Sequence, residues 1–238
     1  MQKQVFENLV ELNKSFTELV KNILKDKEKV TISLSGGSTP KSLFDYWSKY
    51  HANDIDWKSV YLFWGDERCV PPTDEQSNYK MTKDHLLNNI PIPVENIFRI
   101  EGENNPDEEA KRYSEVLMNK VEVTNGVPSF DLIILGMGDD GHTASIFPHE
   151  MHLWNSAELC VVANHPESGQ KRVSLTGKVI NNAKRVAFLV TGANKQEKVK
   201  LIIESKEHVQ DTYPAAKVNP TKGELLWYLD KEAAKLLS

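Results

Sequence analysis

The chain has 238 residues, of which 39% are hydrophobic and 26% are charged, and its formal net charge is −5. This composition is typical of a globular protein, and the lack of a long basic block argues against a nucleic-acid partner. No apolar run approaches the ~20 residues of a membrane span. Acidic residues interrupt the apolar positions of the first segment, MQKQVFENLVELNKSF, so we expect that this segment is not a signal peptide. We therefore expect a cytoplasmic protein.

The pattern of apolar residues predicts alternating helices and strands. Apolar spacings of three and four predict a helix over 4–25, and KVTISL predicts a strand that enters a Gly-Gly turn. The next helix has Pro40 in its first turn and Ser38 or Thr39 as its N-cap. Further strands are predicted in SVYLFW, FDLIIL and RVAFLV, with helices over 76–89 and 196–203 and a polar, helix-prone surface segment over 101–128.

These strands are nearly continuous apolar runs, as expected for a parallel sheet covered by helices on both faces. Strand–helix alternation predicts a doubly wound α/β fold, and residues 1–238 show no internal repeat or linker that would divide them. Polar clusters follow four of the strands, namely SGGST, GDER, GMGDDGH and TGANK. Because ligands bind outside the carboxyl ends of parallel strands, we expect these loops to form one site.

The first of these loops contains Ser35, Gly36, Gly37, Ser38 and Thr39. A glycine-rich turn into a helix N-terminus presents unpaired N–H groups and positive dipole potential, which suits a phosphate. The loop lacks both the P-loop pattern and the GxGxxG pattern. A plain turn with an N-cap explains the same residues equally well.

His142 follows a glycine-rich loop at the head of a predicted helix. A helix N-terminus disfavours the protonated imidazole, and a neutral imidazole in a ligand crevice is suited to activate water as a general base. The alternative is a histidine that only caps the helix.

Four charged residues complete the candidate site: Asp66, Arg68, Arg172 and Lys195. Arginine and lysine are suited to bind a phosphate or a carbonyl oxygen, and a carboxylate is suited to orient a histidine, a water or a sugar hydroxyl. Each of them alone is more readily explained as a surface charge or as part of a solvated loop. No Cys/His ligand set, HExxH or GxSxG motif is present, and Cys69 and Cys160 have no metal-ligand spacing. We therefore predict free thiols, no metal and no cofactor.

Taken together, these segments resemble the 6-phosphogluconolactonase family, in the wider group that includes glucosamine-6-phosphate deaminase. The resemblance rests on SLSGGSTPKSLF, WGDERCVPPTDEQSNYKM, DLIILGMGDDGHTASIFP, KRVSLT, TGANKQEKV and YPAAKV, which extend over nearly the whole chain. It implies a Rossmann-like three-layer α/β/α sandwich with a mostly parallel sheet. It also implies hydrolysis of 6-phospho-D-glucono-1,5-lactone, in the oxidative pentose phosphate pathway.

The resemblance further implies roles for single residues. His142 corresponds to the base of the family. Asp66 and Arg68 correspond to the acid and the arginine of its GDER motif, and Arg172 and Lys195 resemble its phosphate- and substrate-positioning groups. We expect direct attack by water on a lactone whose phosphate is held by the 35–39 loop, with Arg68 stabilising the oxyanion and Asp66 orienting the water or His142.

Two rival functions share the general fold. A glucosamine-6-phosphate deaminase would typically read GDEY and DGHIAFNEP where this chain reads GDER and DGHTASIFP. A non-catalytic sugar-phosphate sensor would normally carry a helix-turn-helix, and the segment before the first strand is too short for one. The sequence leaves the choice between a monomer and a homodimer open.

Overall fold

The computed structural model describes residues 1–25 and 27–238. Its strands are, in chain order, β1 (Gln2–Phe6), β2 (Val30–Leu34), β3 (Val60–Trp64), β4 (Asp66–Arg68), β5 (Ile97–Phe98), β6 (Val123–Thr124), β7 (Val127–Pro128), β8 (Leu132–Leu135), β9 (Cys160–Asn164), β10 (Lys171–Leu175), β11 (Arg185–Val190) and β12 (Glu224–Asp230). Its α-helices are α1 (Leu9–Leu24), α2 (Ser38–Tyr50), α3 (Asn78–His85), α4 (Pro106–Lys120), α5 (Gly177–Ile180), α6 (Gln196–Glu204), α7 (Lys206–Val209) and α8 (Pro214–Lys217).

The main sheet has seven strands in the order β1-β12-β11-β8-β2-β3-β5, and every neighbouring pair in it is parallel. Helices flank this sheet, so the predicted Rossmann-like α/β fold with a mostly parallel sheet is confirmed. All residues of β2 and β8 are buried, which explains why their sequences lack the alternation of a half-exposed strand.

The order of the strands across the sheet changes direction between the neighbouring strands β2 and β8. From β2 the chain continues through β3 to β5 at one edge of the sheet, whereas β8 leads through β11 to β12 on the other side. In an open parallel sheet this switch point leaves a crevice outside the carboxyl ends of the two strands. The loops after Leu34 and Leu135 therefore face each other across the crevice.

A second sheet of three strands, in the order β4-β10-β9, is antiparallel throughout. It begins one residue after β3, so that Asp66 to Arg68 pair with β10 and do not form a free loop. The pairing aligns Arg68 with Arg172 and Asp66 with Ser174. This small sheet brings two predicted cations, 104 residues apart in the sequence, onto neighbouring strands.

The helix predicted over 4–25 is wrong at its start, because residues 2–6 form the edge strand β1 beside β12 and helix α1 begins at Leu9 after an Asn8 N-cap. The predicted helix over 76–89 is shorter, since α3 ends at His85 and a separate 3₁₀ turn covers Leu87–Asn89. Within the described residues, no helix combines the length and the apolar character needed to cross a bilayer.

Candidate active site

All of the predicted site residues line one cavity at the switch point. Its volume is about 210 Å³, and its walls include residues from the ends of β2, β3, β8 and β11. The predicted residues among them are Ser35, Gly36, Gly37, Ser38, Thr39, Asp66, Arg68, His142, Arg172 and Lys195. The expected convergence of distant strand-end loops is therefore observed, whereas the role of each residue stays a prediction.

The 35–39 loop ends in helix α2, whose N-cap is Gly37 and not Ser38 or Thr39 as predicted. Gly37 has φ 103°, a left-handed value that favours glycine, and no side chain caps the helix. The first N–H groups of α2 are thus left without a side-chain acceptor. Such groups, together with the helix dipole, suit an anion in the cavity.

His142 does not head a helix, contrary to the prediction. Residues 143–147 form a tight turn with a Thr143–Ile146 bridge, and the next helical segment is the 3₁₀ helix Pro148–Asn155. The argument that a helix dipole keeps the imidazole neutral is therefore wrong. The glycines and the Asp-Asp pair before His142 specify a compact loop, closed by hydrogen bonds from Gly138 N to His142 O (2.9 Å) and from Gly141 N to Gly138 O (3.1 Å).

The partner of His142 is Asp140, a residue to which the sequence pattern gave no role. Oδ1 of Asp140 lies 2.6 Å from Nδ1 of the imidazole and also accepts from the backbone N–H of His142 at 3.0 Å. Burial alone would raise the pKa of Asp140, but these hydrogen bonds and the nearby imidazole hold it at about 2. A carboxylate on Nδ1 fixes the proton there and leaves Nε2 as an acceptor, the arrangement of a catalytic base.

Two further residues shape the surroundings of His142. Phe147 is fully buried, and its ring centroid lies 4.7 Å from that of the imidazole. Gly138 lies against the pair, because a Cβ at this position would be 2.1 Å from Nδ1 of His142 and 2.6 Å from Oδ1 of Asp140. The glycine is therefore needed for space, a requirement that the sequence pattern did not reveal.

Asp66 is 5% exposed and does not contact His142 through a hydrogen bond. Its Oδ2 accepts from Ser145 Oγ at 2.6 Å, and Ser145 Oγ also accepts from Nη1 of Arg172 at 3.4 Å. Asp66 therefore supports Arg172 through Ser145. The expected orientation of His142 by Asp66 is not seen, because Asp140 occupies that position.

The guanidinium carbon Cζ of Arg172 lies over the face of the Phe147 ring, 5.4 Å from the ring centroid. Burial and then the positive charge of Arg68 lower the pKa of Arg172, while Asp66 raises it. Arg68 itself is fixed by donation from Nη1 to the carbonyl oxygen of Gln76 at 2.6 Å. Two guanidinium groups on neighbouring strands repel each other, so negative charge on a bound ligand stabilises both of them.

Glu67 connects this pair of arginines to helix α3. It is 2% exposed and accepts from the backbone N–H groups of Arg68, Asn78 and Tyr79 at 2.7–2.8 Å. Ser77 Oγ donates to it at 3.0 Å. Burial raises the pKa of Glu67 in spite of these hydrogen bonds. The same packing carries the side chain of Asn78 into the cavity wall, where its amide nitrogen donates to the carbonyl oxygen of Asp66 at 2.9 Å.

The remaining wall is formed by the loop after β11. Lys195 lines the cavity with its side chain 18% exposed, and its ammonium is ion-paired with Asp139. Thr191 of this loop is hydrogen-bonded through its hydroxyl to that of Thr39 at 2.8 Å, which ties the loop to the start of α2. Among the described residues, no group of three or more His, Cys, Asp or Glu side chains is arranged to hold a metal ion.

Comparison with known proteins shows the family to which the chain belongs. The family model of glucosamine-6-phosphate isomerases/6-phosphogluconolactonase matches residues 6–227. The chain is 50% identical to the 6-phosphogluconolactonase of Haemophilus influenzae over 87% of this chain and 88% of that protein. It is 46% identical to the one of Treponema pallidum, over 83% and 82%.

A solved structure of 6-phosphogluconolactonase from Trypanosoma brucei has the same fold. It superimposes with a TM-score of 0.88 at 28% identity, over 100% of this chain and 98% of that one. The chain therefore belongs to the glucosamine-6-phosphate isomerase/6-phosphogluconolactonase family and is an enzyme of its 6-phosphogluconolactonase branch.

Proposed function

We propose that the protein hydrolyses 6-phospho-D-glucono-1,5-lactone to 6-phospho-D-gluconate, the second step of the oxidative pentose phosphate pathway, by water that His142 activates. The names of the relatives support the substrate. The observation that carries the mechanism is the 2.6 Å contact between Nδ1 of His142 and Oδ1 of Asp140, because this imidazole lines a cavity that three cationic side chains also line.

The phosphate of the substrate binds at the start of α2. The uncapped N–H groups after Gly37 and the hydroxyl groups of Ser38 and Thr39 are suited to its oxygen atoms. Arg172 and Lys195 supply the positive charge that a dianion requires in a protein of net charge −5. Binding energy from this remote group then fixes the lactone carbonyl beside His142.

The chemical step needs water as its only co-reactant. Nε2 of His142 accepts a proton from water while the water oxygen bonds to C1 of the lactone, and Arg68 stabilises the oxyanion that develops. The bond between C1 and the ring oxygen then breaks, and His142 returns the proton to that oxygen. The products are the C5 hydroxyl and the carboxylic acid, which ionises at neutral pH.

Charge in the cavity argues against a deaminase. The amino group of glucosamine 6-phosphate is cationic, and the cavity wall already carries Arg68, Arg172 and Lys195. The one carboxylate among its lining residues, Asp66, is committed to Ser145. An ester substrate with a developing negative charge is favoured by the same groups.

The proposal is tested by the loss of freshly prepared lactone, measured against its spontaneous opening. We expect a clear enzymatic rate for the protein and a loss of about 10²–10⁴-fold in kcat for His142→Asn. His208→Asn is the matched control, since His208 is exposed on α7 away from the cavity, and it should retain full activity. A folded His142→Asn enzyme with wild-type turnover, or ammonia release from glucosamine 6-phosphate in place of lactone opening, would overturn the proposal.

A further inference from the structure

We propose that the carboxylate of Asp139 competes with the substrate phosphate for the ammonium of Lys195. This competition raises KM and speeds the release of the product. This inference rests on the proposed function, because it assumes that Lys195 binds the phosphate. Asp139 lies directly before Asp140 in the sequence, but it is paired with Lys195, whereas Asp140 is hydrogen-bonded to the imidazole of His142.

The carboxylate of Asp139 bridges two loops of the site. Its Oδ1 is ion-paired with the ammonium of Lys195 and accepts from Nδ2 of Asn194 at 2.8 Å. Asp139 follows β8 and its two partners follow β11, so the contact joins the loop that carries His142 to the loop that carries the phosphate-binding lysine.

The two members of the ion pair differ in their exposure. The side chain of Lys195 is 18% exposed and lines the cavity, whereas that of Asp139 is 66% exposed and lies outside the cavity wall. An ion pair with one solvated partner is weak and is readily exchanged. A phosphate dianion held by the N-terminus of α2 attracts the ammonium more strongly than a single solvated carboxylate does.

The charge of Asp139 has two consequences for a bound phosphosugar. The carboxylate competes for the same ammonium, and it also repels the phosphate across the rim of the cavity. Both effects weaken the binding of the substrate and the binding of the product to a similar extent, because the phosphate is unchanged by the reaction. Uniform weakening raises KM and the dissociation constant of the product without changing the chemical step.

The test compares the wild type with Asp139→Asn, which keeps the shape of the side chain and removes its charge. We expect the Kd for 6-phosphogluconate and for inorganic phosphate, measured by calorimetry, to fall about three- to fivefold, the scale of an exposed ion pair. KM for the lactone should fall by the same factor, with kcat unchanged. The difference should vanish at high salt, where exposed charges are screened.

Three further variants make the result specific. Asp139→Glu keeps the charge and should bind phosphate as the wild type does. In a Lys195→Met background, Asp139→Asn should change the Kd less than twofold, because the competition needs the ammonium. Asp54→Asn is the matched control and should leave the Kd unchanged. It removes a carboxylate that is 52% exposed, against 66% for Asp139, and that is paired with Lys21 just beyond the opposite end of α2.

An unchanged or higher Kd in Asp139→Asn would overturn the inference, and so would a full effect in the Lys195→Met background. These outcomes are separate from failure of the proposed function. If the wild type does not open the lactone, the proposed function fails, while phosphate binding by the two proteins still tests Asp139.

Discussion

Oδ1 of Asp140 lies 2.6 Å from Nδ1 of His142, and the two residues are separated by a single glycine. The pair is local in sequence, so the loop that carries the base also carries the group that orients it. Gly141 between them has φ 83°, and its carbonyl oxygen accepts from the N–H of Ala215 at 3.1 Å. The segment YPAAKV, residues 213–218, thus stabilises the loop through a backbone hydrogen bond.

Replacement of Asp140 by Asn should lower kcat by about 10²–10⁴-fold with little change in KM. An amide that donates to Nδ1 would place the proton of the imidazole on Nε2, where it can no longer accept from water. Steady-state kinetics with the lactone measure this effect. Asp45→Asn breaks a second His–Asp pair, with His85 at 2.7 Å, outside the cavity, and should have wild-type kinetics. Equal kcat values for both variants would contradict the role of Asp140.

The same variant should change the pH dependence of stability. The folded pKa of Asp140 is about 2, below its ordinary value of 3.8. A depressed acid pKa stabilises the fold above the unfolded pKa, and this stabilisation is lost as the pH falls through the folded pKa. The stabilisation that this carboxylate gives the wild type over Asp140→Asn should therefore be present at about pH 5 and should shrink between about pH 4 and pH 2. Urea unfolding at several pH values would measure it, and a difference that stays constant from about pH 5 to pH 2 would be inconsistent with the depressed pKa of Asp140.

Gly138→Ala should damage the site through steric contact alone. Its Cβ would lie 2.1 Å from Nδ1 of His142 and 2.6 Å from Oδ1 of Asp140, so at least one of these groups must move. We expect kcat to fall at least ~10-fold, since misplaced catalytic groups lose most of their effect. Gly126→Ala is the control, because Gly126 has φ 76° in the exposed β6–β7 turn and no atoms within 4 Å of the new Cβ. It should cost about 1 kcal/mol of stability and leave the kinetics unchanged.

The parallel sheet was predictable because its central strands are continuous apolar runs between glycine-rich turns, as in FDLIIL and RVAFLV. The strand β1 was missed because QKQVF is short and polar, and because the three- and four-residue spacing of α1 extends back to Val5. The β4-β10-β9 sheet was missed for a related reason. Its strand β4 has only three residues, all of them charged, and its pairing with β10 depends on tertiary contacts.

The cavity residues were predictable from their position after strands, since the edge of a parallel sheet gathers them whatever their order in the chain. The hydrogen-bond and ion-pair partners of those residues were harder to predict from the sequence. Asp139 and Asp140 are adjacent and chemically identical, and only the conformation of the loop directs one to Lys195 and the other to His142. The commitment of Asp66 to Ser145 likewise depends on a contact between residues 79 positions apart.

Arg172→Met should separate activity from stability. Burial and the charge of Arg68 lower the pKa of Arg172, so the folded state disfavours its protonated form, and removal of the charge should not destabilise the fold. Methionine retains apolar contact with Phe147, and Asp66 keeps its hydrogen bond from Ser145.

We therefore expect the free energy of unfolding of Arg172→Met to equal the wild-type value or to exceed it by up to about 1 kcal/mol, which is the scale of a single stabilising substitution. By contrast, kcat/KM for the lactone should fall at least ~100-fold, because the substrate phosphate loses a charged partner. Arg185→Met removes an arginine paired with Glu224 outside the cavity and should leave kcat/KM unchanged. A marked loss of stability in Arg172→Met would show that this guanidinium supports the fold and that its burial is not a cost imposed by ligand binding.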